Sequence, residues 1–494
     1  MKKNRNLMAF DLGASNGRAI LGQFDGEKVT MHEIHRFDNP IIDLHGVSYW
    51  STLGQYQNLK DALRKFSRVD AGKLDSFGID TWGVDYGLLD KNGALLGNAR
   101  SYRGATSEDV DAVHSVIPER KLYSHTGITS MNFNTIYQLY RRVHENDSAL
   151  LSAENLLFTP DLLGYFLTGE KGSEYTISTT SALYNAQKGE WDKSLMEKLG
   201  IPAHIFGEIQ KSGSLRGNLL PAIAEETGAG NAAFVAVGSH DTASAVAAIP
   251  GSGNFAFCSS GTWSLFGVET DAPELSDESF TAGFSNEGTV QGGFRPLRNI
   301  MGLWVIQECR REWLSEGTEA GWNDIVAAAK DAPPFRSLID VDHNEFYSPG
   351  NMCGKIREYC RQTRQPIPES VGEISRCVYE SLALKYRDGV NALETIKGKP
   401  LDSLNIVGGG IQNKLLNQMA ASATGKPVIT GPIEGAALGN ILMQAVALGE
   451  ISGLHELREV VRASVETEIY DPKDASLWED AFGRLQGYQE IARN

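Results

Sequence analysis

The stretch LMAFDLGASNGRAILGQF, residues 7–24, is the part of this 494-residue chain that is most informative about its fold. Two apolar runs, Leu7–Phe10 and Ala19–Phe24, flank the polar, glycine-bearing segment DLGASNGR (11–18). Short apolar runs separated by a turn rich in Gly, Ser and Asn are typical of a β-hairpin. We therefore predict an antiparallel strand pair with a polar tip at the start of the chain.

The second half of the chain repeats this design. Apolar Asn254–Cys258 leads into the polar tip Ser259-Ser-Gly-Thr262, and Trp263–Val268 is apolar again. The two copies suggest a duplicated fold with two loops facing one ligand, although two unrelated hairpins explain the pattern as well. A turn-rich segment at 249–253 (IPGSG) marks the boundary between the halves.

Strands alternate with helices through the rest of the sequence, which argues for an α/β fold with mixed sheets. Residues 316–352 are expected to form an irregular surface segment. The other predicted strands are Val29–Phe37, Phe77–Leu89, Asn231–Gly238, Leu404–Val407 and Val428–Thr430, and the predicted helices are Leu53–Phe66, Asn134–Asn146, one opening at Ser239, Gly302–Leu314, Ser370–Ile396, one from Asn413, and Glu434–Leu448.

The composition is that of an acidic, folded protein. Lys and Arg total 46 against 62 Asp and Glu, a net charge of −16, which disfavours nucleic acid or an anionic membrane as a partner. No apolar run reaches about 18 residues, so no membrane span is predicted. The five cysteines are sparse and never spaced C-x-x-C, which favours a reduced, cytoplasmic setting without disulfides or a zinc site.

The polar tip at 11–18 is the first candidate binding site. Asp11 ends the first strand, and the small residues after it can turn their backbone N–H groups inward. Such a nest suits phosphate oxygens, while the carboxylate can hold a metal-bound water. Arg18 adds a guanidinium that can donate two parallel hydrogen bonds to a phosphate. The tip at 259–262 offers hydroxyls and a glycine amide to the same kind of ligand, and in both places a plain turn is the alternative.

Asp241, in the segment SHDT (239–242), is the candidate catalytic group. It falls in the first turn of a predicted helix that follows a buried strand. A carboxylate there either caps the helix or acts as a general base that accepts the proton of an alcohol attacking a phosphate. The residues alone leave both interpretations open.

Two further segments have the residue types of a ligand site. Gly408–Gly410, between a strand and a helix, let a flat base or ribose lie on bare backbone, or else allow tight helix–strand packing. The run Asp80–Gly87 places two acids, Trp82 and two glycines on one strand. That run either lines a polyol site or forms an edge strand with a bulge at Gly83.

Together these segments resemble the FGGY family of carbohydrate kinases, within the actin-like ATPase superfamily. The motifs occur in family order over nearly the whole chain: DLGASNGR (11–18), HRFDNP (35–40), GIDTWGVDYGLLD (78–90), MNFNTIYQLY (131–140), TPDLLGYFLTG (159–169), EYTISTTSALYN (174–185), SHDTASAV (239–246), SSGTWSL (259–265), NIMGLWVIQ (299–307) and GGGIQNKLLNQ (408–418).

The resemblance implies two actin-like ATPase (ribonuclease H-like) domains, each a mixed sheet flanked by helices, with the active site in the cleft between them. Residues 1–249 are expected to carry the sugar and phosphate side, and 250–494 the nucleotide side. The implied roles are Asp241 as catalytic base, Gly83, His240, Asp241, Thr242 and Asn299 as sugar contacts, Ala14, Ser15, Asn16, Gly17, Arg18, Thr262, Gln307 and Gly409 as ATP contacts, and Asp11 as the residue that positions Mg²⁺.

The activity that the resemblance implies is ATP- and Mg²⁺-dependent phosphorylation of a ketose, with L-rhamnulose at O1 as the first expectation and L-fuculose as the alternative. Two positions depart from the family pattern: Gly104 replaces an Asp after Arg103 on the sugar side, and Asn16 stands where Ser is usual. A non-catalytic sugar sensor is disfavoured by the presence of Asp241. An ATPase acting on protein partners is disfavoured by the sugar-side strand 78–90.

Overall fold

The computed structural model describes residues 4–69 and 71–493. Its strands, numbered in chain order, are β1 Arg5–Leu12, β2 Asn16–Phe24, β3 Val29–Asp38, β4 Ile41–Leu44, β5 Val47–Trp50, β6 Ser76–Thr81, β7 Tyr86–Leu89, β8 Asn155–Phe158, β9 Ser173–Glu174, β10 Tyr184–Asn185, β11 Glu190–Trp191, β12 Ile209–Gln210, β13 Ser214–Asn218, β14 Ala233–Ala236, β15 Phe255–Ser260, β16 Ser264–Gly267, β17 Ser285–Gly288, β18 Phe294–Ile300, β19 Ser403–Val407, β20 Val428–Thr430 and β21 Ile469–Tyr470.

Helices occupy the connections between these strands. They are α1 Thr52–Phe66, α2 Ser107–Val116, α3 Glu119–Thr126, α4 Thr135–His144, α5 Ser148–Leu151, α6 Thr159–Thr168, α7 Tyr175–Thr179, α8 Lys193–Lys198, α9 Pro221–Thr227, α10 Asp241–Ala247, α11 Asp277–Thr281, α12 Trp304–Ser315, α13 Trp322–Asp331, α14 Met352–Gln362, α15 Val371–Lys397, α16 Lys414–Thr424, α17 Gly435–Ala447, α18 Leu454–Ser464 and α19 Ala475–Arg493.

The predicted N-terminal hairpin is confirmed and lies inside a six-stranded mixed sheet. The strand order is β13-β14-β6-β1-β2-β3. Strands β1 and β2 pair antiparallel, with Leu12 opposite Gly17, and β1 pairs parallel to β6, with Asp11 beside Asp80. Because carboxyl ends of parallel strands share one edge of a sheet, the ends of β1 and β6 bring these two acids together.

The second predicted hairpin is confirmed as β15 and β16, which pair antiparallel and close at Ser260 opposite Ser264. It belongs to a seven-stranded sheet with the order β17-β18-β16-β15-β19-β20-β21. Strand β19 pairs parallel to β15 and leads into the triple-glycine segment 408–410. The mixed α/β class is therefore as predicted.

The chain divides into two compact units. The first comprises residues up to Ala248, Glu269–Pro296 and Glu434–Val465, and the second comprises Ile249–Val268, Leu297–Ile433 and the chain from Glu466 onward. The changeover at Ala248 lies within two residues of the predicted boundary. Two segments from the second half of the sequence, Glu269–Pro296 and Glu434–Val465, also belong to the first unit.

Helix α17 explains why the first unit includes a distant segment. Its small and apolar residues pack on β1, β6 and α10. A Cβ at Gly22 of β2 would meet the Ile441 side chain, and a Cβ at Gly439 would collide with the Ser244 carbonyl oxygen. The glycines thus permit a helix to lie closely against the sheet and against α10.

The longest helix, α15, has the boundaries that its sequence signals predict. The Ser370 hydroxyl accepts a hydrogen bond from the Glu373 N–H, and the Glu373 carboxylate accepts one from the Ser370 N–H, which forms a capping box. The helix ends at Gly398, whose φ of 63° is left-handed. The prediction of a helix over Ser370–Ile396 is confirmed.

Two predictions of local structure were wrong. The segment 316–352 is not irregular throughout, because it contains α13, whose buried Ile325 and Ala329 pack toward α15. The run Phe77–Leu89 was predicted as one strand interrupted by Gly83 and Gly87, but it forms two strands, because β6 ends at Thr81 and β7 begins at Tyr86, and Gly87 lies inside β7. Between them Val84 has a φ of 69°, a left-handed conformation that β-branched residues rarely adopt.

All five cysteines are buried free thiols. Burial raises the pKa of Cys258 to about 12, so its thiolate is disfavoured at neutral pH. Within residues 4–69 and 71–493, no helix combines the length and apolar character needed to cross a bilayer.

Candidate active site

The tip of the first hairpin is a tight turn that the protein itself holds in shape. The Gly13 N–H donates to the Asn16 carbonyl over 2.9 Å. From outside the turn, the Asn39 side-chain amide donates to the Gly13 carbonyl and the Asn39 N–H donates to the Ser15 carbonyl, each over 3.0 Å. Because these carbonyls are bound, the loop conformation is fixed before any ligand arrives.

Arg18 lies between two carboxylates. It donates to Asp11 Oδ2 over 2.6 Å and contacts Glu434 Oε2 over 2.5 Å. Burial lowers the pKa of the Arg18 guanidinium, but the two carboxylates outweigh burial and the net pKa is raised. Glu434 precedes α17 and was not predicted as a site residue, since nothing in the sequence relates it to residues more than 400 positions earlier.

Asp11 and Asp80 form a buried acidic pair on adjacent strands. Burial raises the pKa of both carboxyls, and the negative charge of neighbouring carboxylates raises each further. Asp80 Oδ2 accepts a hydrogen bond from the Asn440 amide over 2.6 Å, while Asp80 Oδ1 has no partner among the described residues. Negative charge on the pair is therefore disfavoured unless a cation is bound beside it.

This arrangement fits a magnesium ion. Mg²⁺ prefers oxygen donors and is commonly held by one or two carboxylates together with phosphate oxygens and water. The residues that the structure describes contain no group of three or more His, Cys, Asp or Glu side chains placed to enclose a metal. A site completed by substrate phosphates, with Asp11 as the protein contribution, agrees with both observations.

Asp241 is the first residue of α10, and its two carboxylate oxygens have different surroundings. Oδ1 accepts hydrogen bonds from the Thr242 N–H over 2.6 Å and from the Thr242 hydroxyl over 3.1 Å. Oδ2 accepts none from any described residue. The side chain is 33% exposed. The negative charge of Asp241 contributes to the raised pKa of both Asp11 and Asp80, so the three acids lie in one neighbourhood.

His240 precedes Asp241 and caps α10 without a side-chain bond. Its Nε2 lies 3.4 Å from Asp241 Oδ1, and its Nδ1 lies 3.1 Å from Glu287 Oε2. The Arg295 Nη2 lies 2.6 Å from both that Glu287 oxygen and His240 Nδ1. Although burial raises the pKa of Glu287, its contacts with His240 and Arg295 lower it to about 2. Neither Glu287 nor Arg295 was predicted.

Gly83 lies in the sharp turn between β6 and β7. A Cβ at this position would come within 3.2 Å of the Thr180 side chain, so the turn is closely packed on one side. The Val84 N–H donates to the Thr180 hydroxyl over 3.1 Å. Trp82 is largely buried, and its indole N–H donates to Asp85, so its polar atom is already occupied.

The predicted nucleotide residues of the second unit meet around one cavity of about 300 Å³. Gln307 and Gly409 line it, and the Thr262 hydroxyl donates to Gln307 Oε1 over 3.1 Å. Tyr379 and Trp322 also line the cavity, and neither was predicted. Trp322 was missed because it falls in the segment that was expected to be irregular.

The structure thus gathers the predicted residues into two groups. Asp11, the loop 14–18, Gly83 and the segment 240–242 lie in the first unit. Thr262, Asn299, Gln307 and Gly409 lie in the second unit, where Asn299 is exposed on β18 beside Leu265 of β16.

Family models match this chain over both halves. The N-terminal domain of the FGGY family of carbohydrate kinases matches residues 7–248, and the C-terminal domain matches residues 256–448. The chain therefore belongs to the FGGY family of carbohydrate kinases, and it is an ATP- and Mg²⁺-dependent phosphotransferase.

Among curated proteins, the chain is 41% identical to a rhamnulokinase of Bacteroides thetaiotaomicron, over 97% of this chain and 98% of that protein. It is 40% identical to a rhamnulokinase of Oceanobacillus iheyensis, over 94% and 97% of the two chains.

Solved structures confirm the fold. A ligand-bound xylulose kinase from Lactobacillus acidophilus matches with a TM-score of 0.83 at 15% identity, over 99% of this chain and 98% of that one. A Plasmodium falciparum glycerol kinase with ADP matches with a TM-score of 0.80 at 13% identity, over 99% and 98% of the two chains.

Proposed function

We propose that this protein transfers the γ-phosphoryl group of ATP to O1 of L-rhamnulose, as a step in the breakdown of L-rhamnose. The observation that carries the choice of sugar is the similarity to rhamnulokinases, at about two residues in five along nearly the whole chain.

Asp241 is the proposed general base. Phosphoryl transfer needs little covalent chemistry from a protein, so positioning and charge neutralisation dominate. The two bonds from Thr242 hold Oδ1, which leaves Oδ2 to accept the proton of the sugar's primary hydroxyl as its oxygen attacks phosphorus. Gly83, His240, Thr242 and Asn299 are the proposed sugar contacts.

The phosphates and the nucleoside are assigned to the loops of the two hairpins and to the glycine segment. Ala14 to Arg18 and Thr262 are proposed to contact ATP together with Gln307 and Gly409. Asp11 would hold Mg²⁺, which when bound neutralises phosphate charge. We further propose that residues 1–249 form the sugar and phosphate side, that residues 250–494 form the nucleotide side, and that the protein works in the cytoplasm.

A coupled assay of ADP release with Mg·ATP tests this function across a panel of ketoses that includes L-rhamnulose, L-fuculose and L-xylulose. We expect the highest kcat/KM with L-rhamnulose. L-Xylulose lacks the methyl group, and a hydrophobic pocket discriminates against a missing carbon by about 10–200-fold, so we expect that range between L-rhamnulose and L-xylulose. L-Fuculose carries the same methyl group and differs from L-rhamnulose only in configuration. A clear preference for another ketose would show that L-rhamnulose is not the substrate, while the assignment as a sugar kinase would still hold.

The position of phosphorylation needs its own measurement. We expect the product to show coupling between ³¹P and the ¹³C nuclei nearest to O1. Coupling from any other carbon would show that the sugar binds in a different orientation, and ADP release that does not depend on any sugar would show a simple ATPase.

A further inference from the structure

The side of His240 that faces away from Asp241 is packed against an ion pair that the family resemblance did not point to. Arg295, on β18, is fully buried and pairs with Glu287, on β17. Both side chains also contact the imidazole Nδ1. All four residues belong to the first unit, so the contacts lie within one compact body.

The chemistry of these contacts determines where the imidazole carries its proton. His240 Nδ1 lies between a donor, Arg295 Nη2 at 2.6 Å, and an acceptor, Glu287 Oε2 at 3.1 Å. The Arg295 contact is the shorter one and has the geometry of a hydrogen bond, and a guanidinium can only donate, so we assign Nδ1 as the acceptor. His240 Nδ1 therefore carries no hydrogen, and the neutral ring keeps its proton on Nε2. That nitrogen is the one 3.4 Å from Asp241 Oδ1.

The backbone of His240 is held as firmly as its ring. The His240 N–H donates to the Thr176 hydroxyl over 3.2 Å, and the preceding Ser239 carbonyl accepts from the Thr81 N–H over 2.9 Å. The orientation of the imidazole remains to be fixed, and among the residues that the structure describes Arg295 and Glu287 are the ones in contact with its Nδ1.

We propose that Arg295 and Glu287 are positioning residues for phosphoryl transfer, because they hold His240 as the neutral Nε2–H tautomer beside the catalytic carboxylate. In this arrangement Nε2 lies 3.4 Å from Oδ1 of Asp241, the oxygen that Thr242 already bonds, and Oδ2 is left for the sugar hydroxyl. Glu287 offsets the positive charge of Arg295, which would otherwise stabilise the Asp241 carboxylate and make it a weaker base.

Stability alone does not account for this pair. A buried ion pair adds little stability compared with apolar residues of similar volume. Here the Arg295 Nε and Nη1 atoms also lack partners among the described residues, which makes the buried guanidinium more costly still. A role in orienting His240 explains why the protein keeps this buried ion pair despite its unfavourable free energy of burial.

The first test is spectroscopic and does not depend on which sugar is phosphorylated. Long-range ¹H–¹⁵N correlation spectra of protein labelled with ¹⁵N-histidine distinguish protonated from unprotonated ring nitrogens, and the signal missing from His240→Gln identifies the residue. We expect Nε2 protonated and Nδ1 unprotonated at neutral pH. A protonated Nδ1 in the wild-type protein would overturn the proposal.

Substitution of Arg295 makes the test sharper. In Arg295→Met the donor is gone, so Nδ1 is free to take a proton and donate it to Glu287. We expect the Nδ1 signal to change to the protonated type in that variant and to remain unprotonated in Arg295→Lys, whose ammonium also only donates. Identical spectra for all three proteins would refute the assignment.

The second test is kinetic and rests on the proposed function. We expect Arg295→Met to lose about tenfold or more in kcat, as outer partners of metal-bound histidines do, with the KM for ATP little changed, and Arg295→Lys to recover part of the loss. If Arg295→Met leaves Glu287 unpaired and unfolds the protein, the double variant Arg295→Met with Glu287→Gln removes both buried charges and should fold with the same loss.

Arg142→Met is the matched control, since Arg142 is a buried arginine of the same unit that pairs with Asp147 over 3.0 Å. An equal loss of kcat in this control, or none in either Arg295 variant, would contradict a positioning role. A wild-type protein that phosphorylates no ketose would refute the proposed function, while the spectra would still decide the tautomer.

Discussion

Asp85 gives a prediction whose sign and size both come from the structure. Its carboxylate is buried at the turn after Gly83, where Oδ2 accepts hydrogen bonds from the indole N–H groups of Trp50 and Trp82 over 2.5 and 3.0 Å. Burial outweighs the hydrogen bonds that lower the pKa of Asp85, so its pKa is raised from 3.8 to about 6. We consider the substitution Asp85→Asn, which keeps the shape and removes the charge.

The raised pKa means that the folded protein binds the Asp85 proton more tightly than the unfolded chain does. The contribution of Asp85 to stability therefore falls as the pH rises from about 4 to about 6. At about 1.4 kcal/mol per pKa unit, the change from 3.8 to about 6 corresponds to about 3 kcal/mol. Asparagine does not titrate, so the unfolding free energy of the variant relative to wild type should rise by about this amount between pH ~4 and pH ~8.

Urea unfolding of both proteins at a series of pH values measures this difference. Asp147→Asn is a control of opposite sign, since the Leu150 N–H and Arg142 lower the pKa of Asp147 despite its burial. That control should lose most stability at neutral pH and least in acid. A difference between Asp85→Asn and wild type that is the same at pH ~4.5 and pH ~7.5 would show that the Asp85 carboxyl is not perturbed.

Three other predictions concern the site directly. Asp241→Asn should fold normally and lose at least about a hundredfold in kcat, and near-wild-type turnover would remove it as the base. Gly409→Ala should keep wild-type stability, because a Cβ there meets open space, but it should raise the KM for ATP. Gly410→Ala should lower the thermal midpoint of unfolding, because its Cβ would collide with Ser260. Equal thermal midpoints for the two variants would contradict this packing. Asp11→Asn should need more Mg²⁺ for half-maximal activity, measured by titrating Mg²⁺ at fixed ATP, and an unchanged requirement would count against Asp11 as the metal residue.

Much of the fold could be predicted because local signals and tertiary structure agree. Residues close together in the sequence determine the N-terminal hairpin, the capping box at Ser370 and the glycine that ends α15. The turn at Val84 could not be predicted, because its left-handed backbone is imposed by contacts such as the Thr180 hydroxyl bond rather than by its own preference.

The site shows the same division. Asp11 and Asp241 could be named from motifs in which small polar residues follow a strand. Glu287, Arg295 and Glu434 could not, because each contacts a site residue far away in the sequence, His240 or Arg18, and none lies in a recognisable local pattern. Trp322 was missed for a simpler reason, since its helix lies between glycine-rich and charged residues that suggested a loop.

The discontinuous make-up of the first unit affects how the protein is synthesised. The apolar face that Leu7, Ala9 and Ile20 present is completed by Leu438 and Ile441 of α17, which leave the ribosome only when nine-tenths of the polypeptide has been translated. During that interval the nascent sheet exposes apolar side chains, which is the kind of surface that chaperones bind. A fragment ending near residue 249 would keep that surface exposed, so a polypeptide meant to fold as the first unit should extend through Val465.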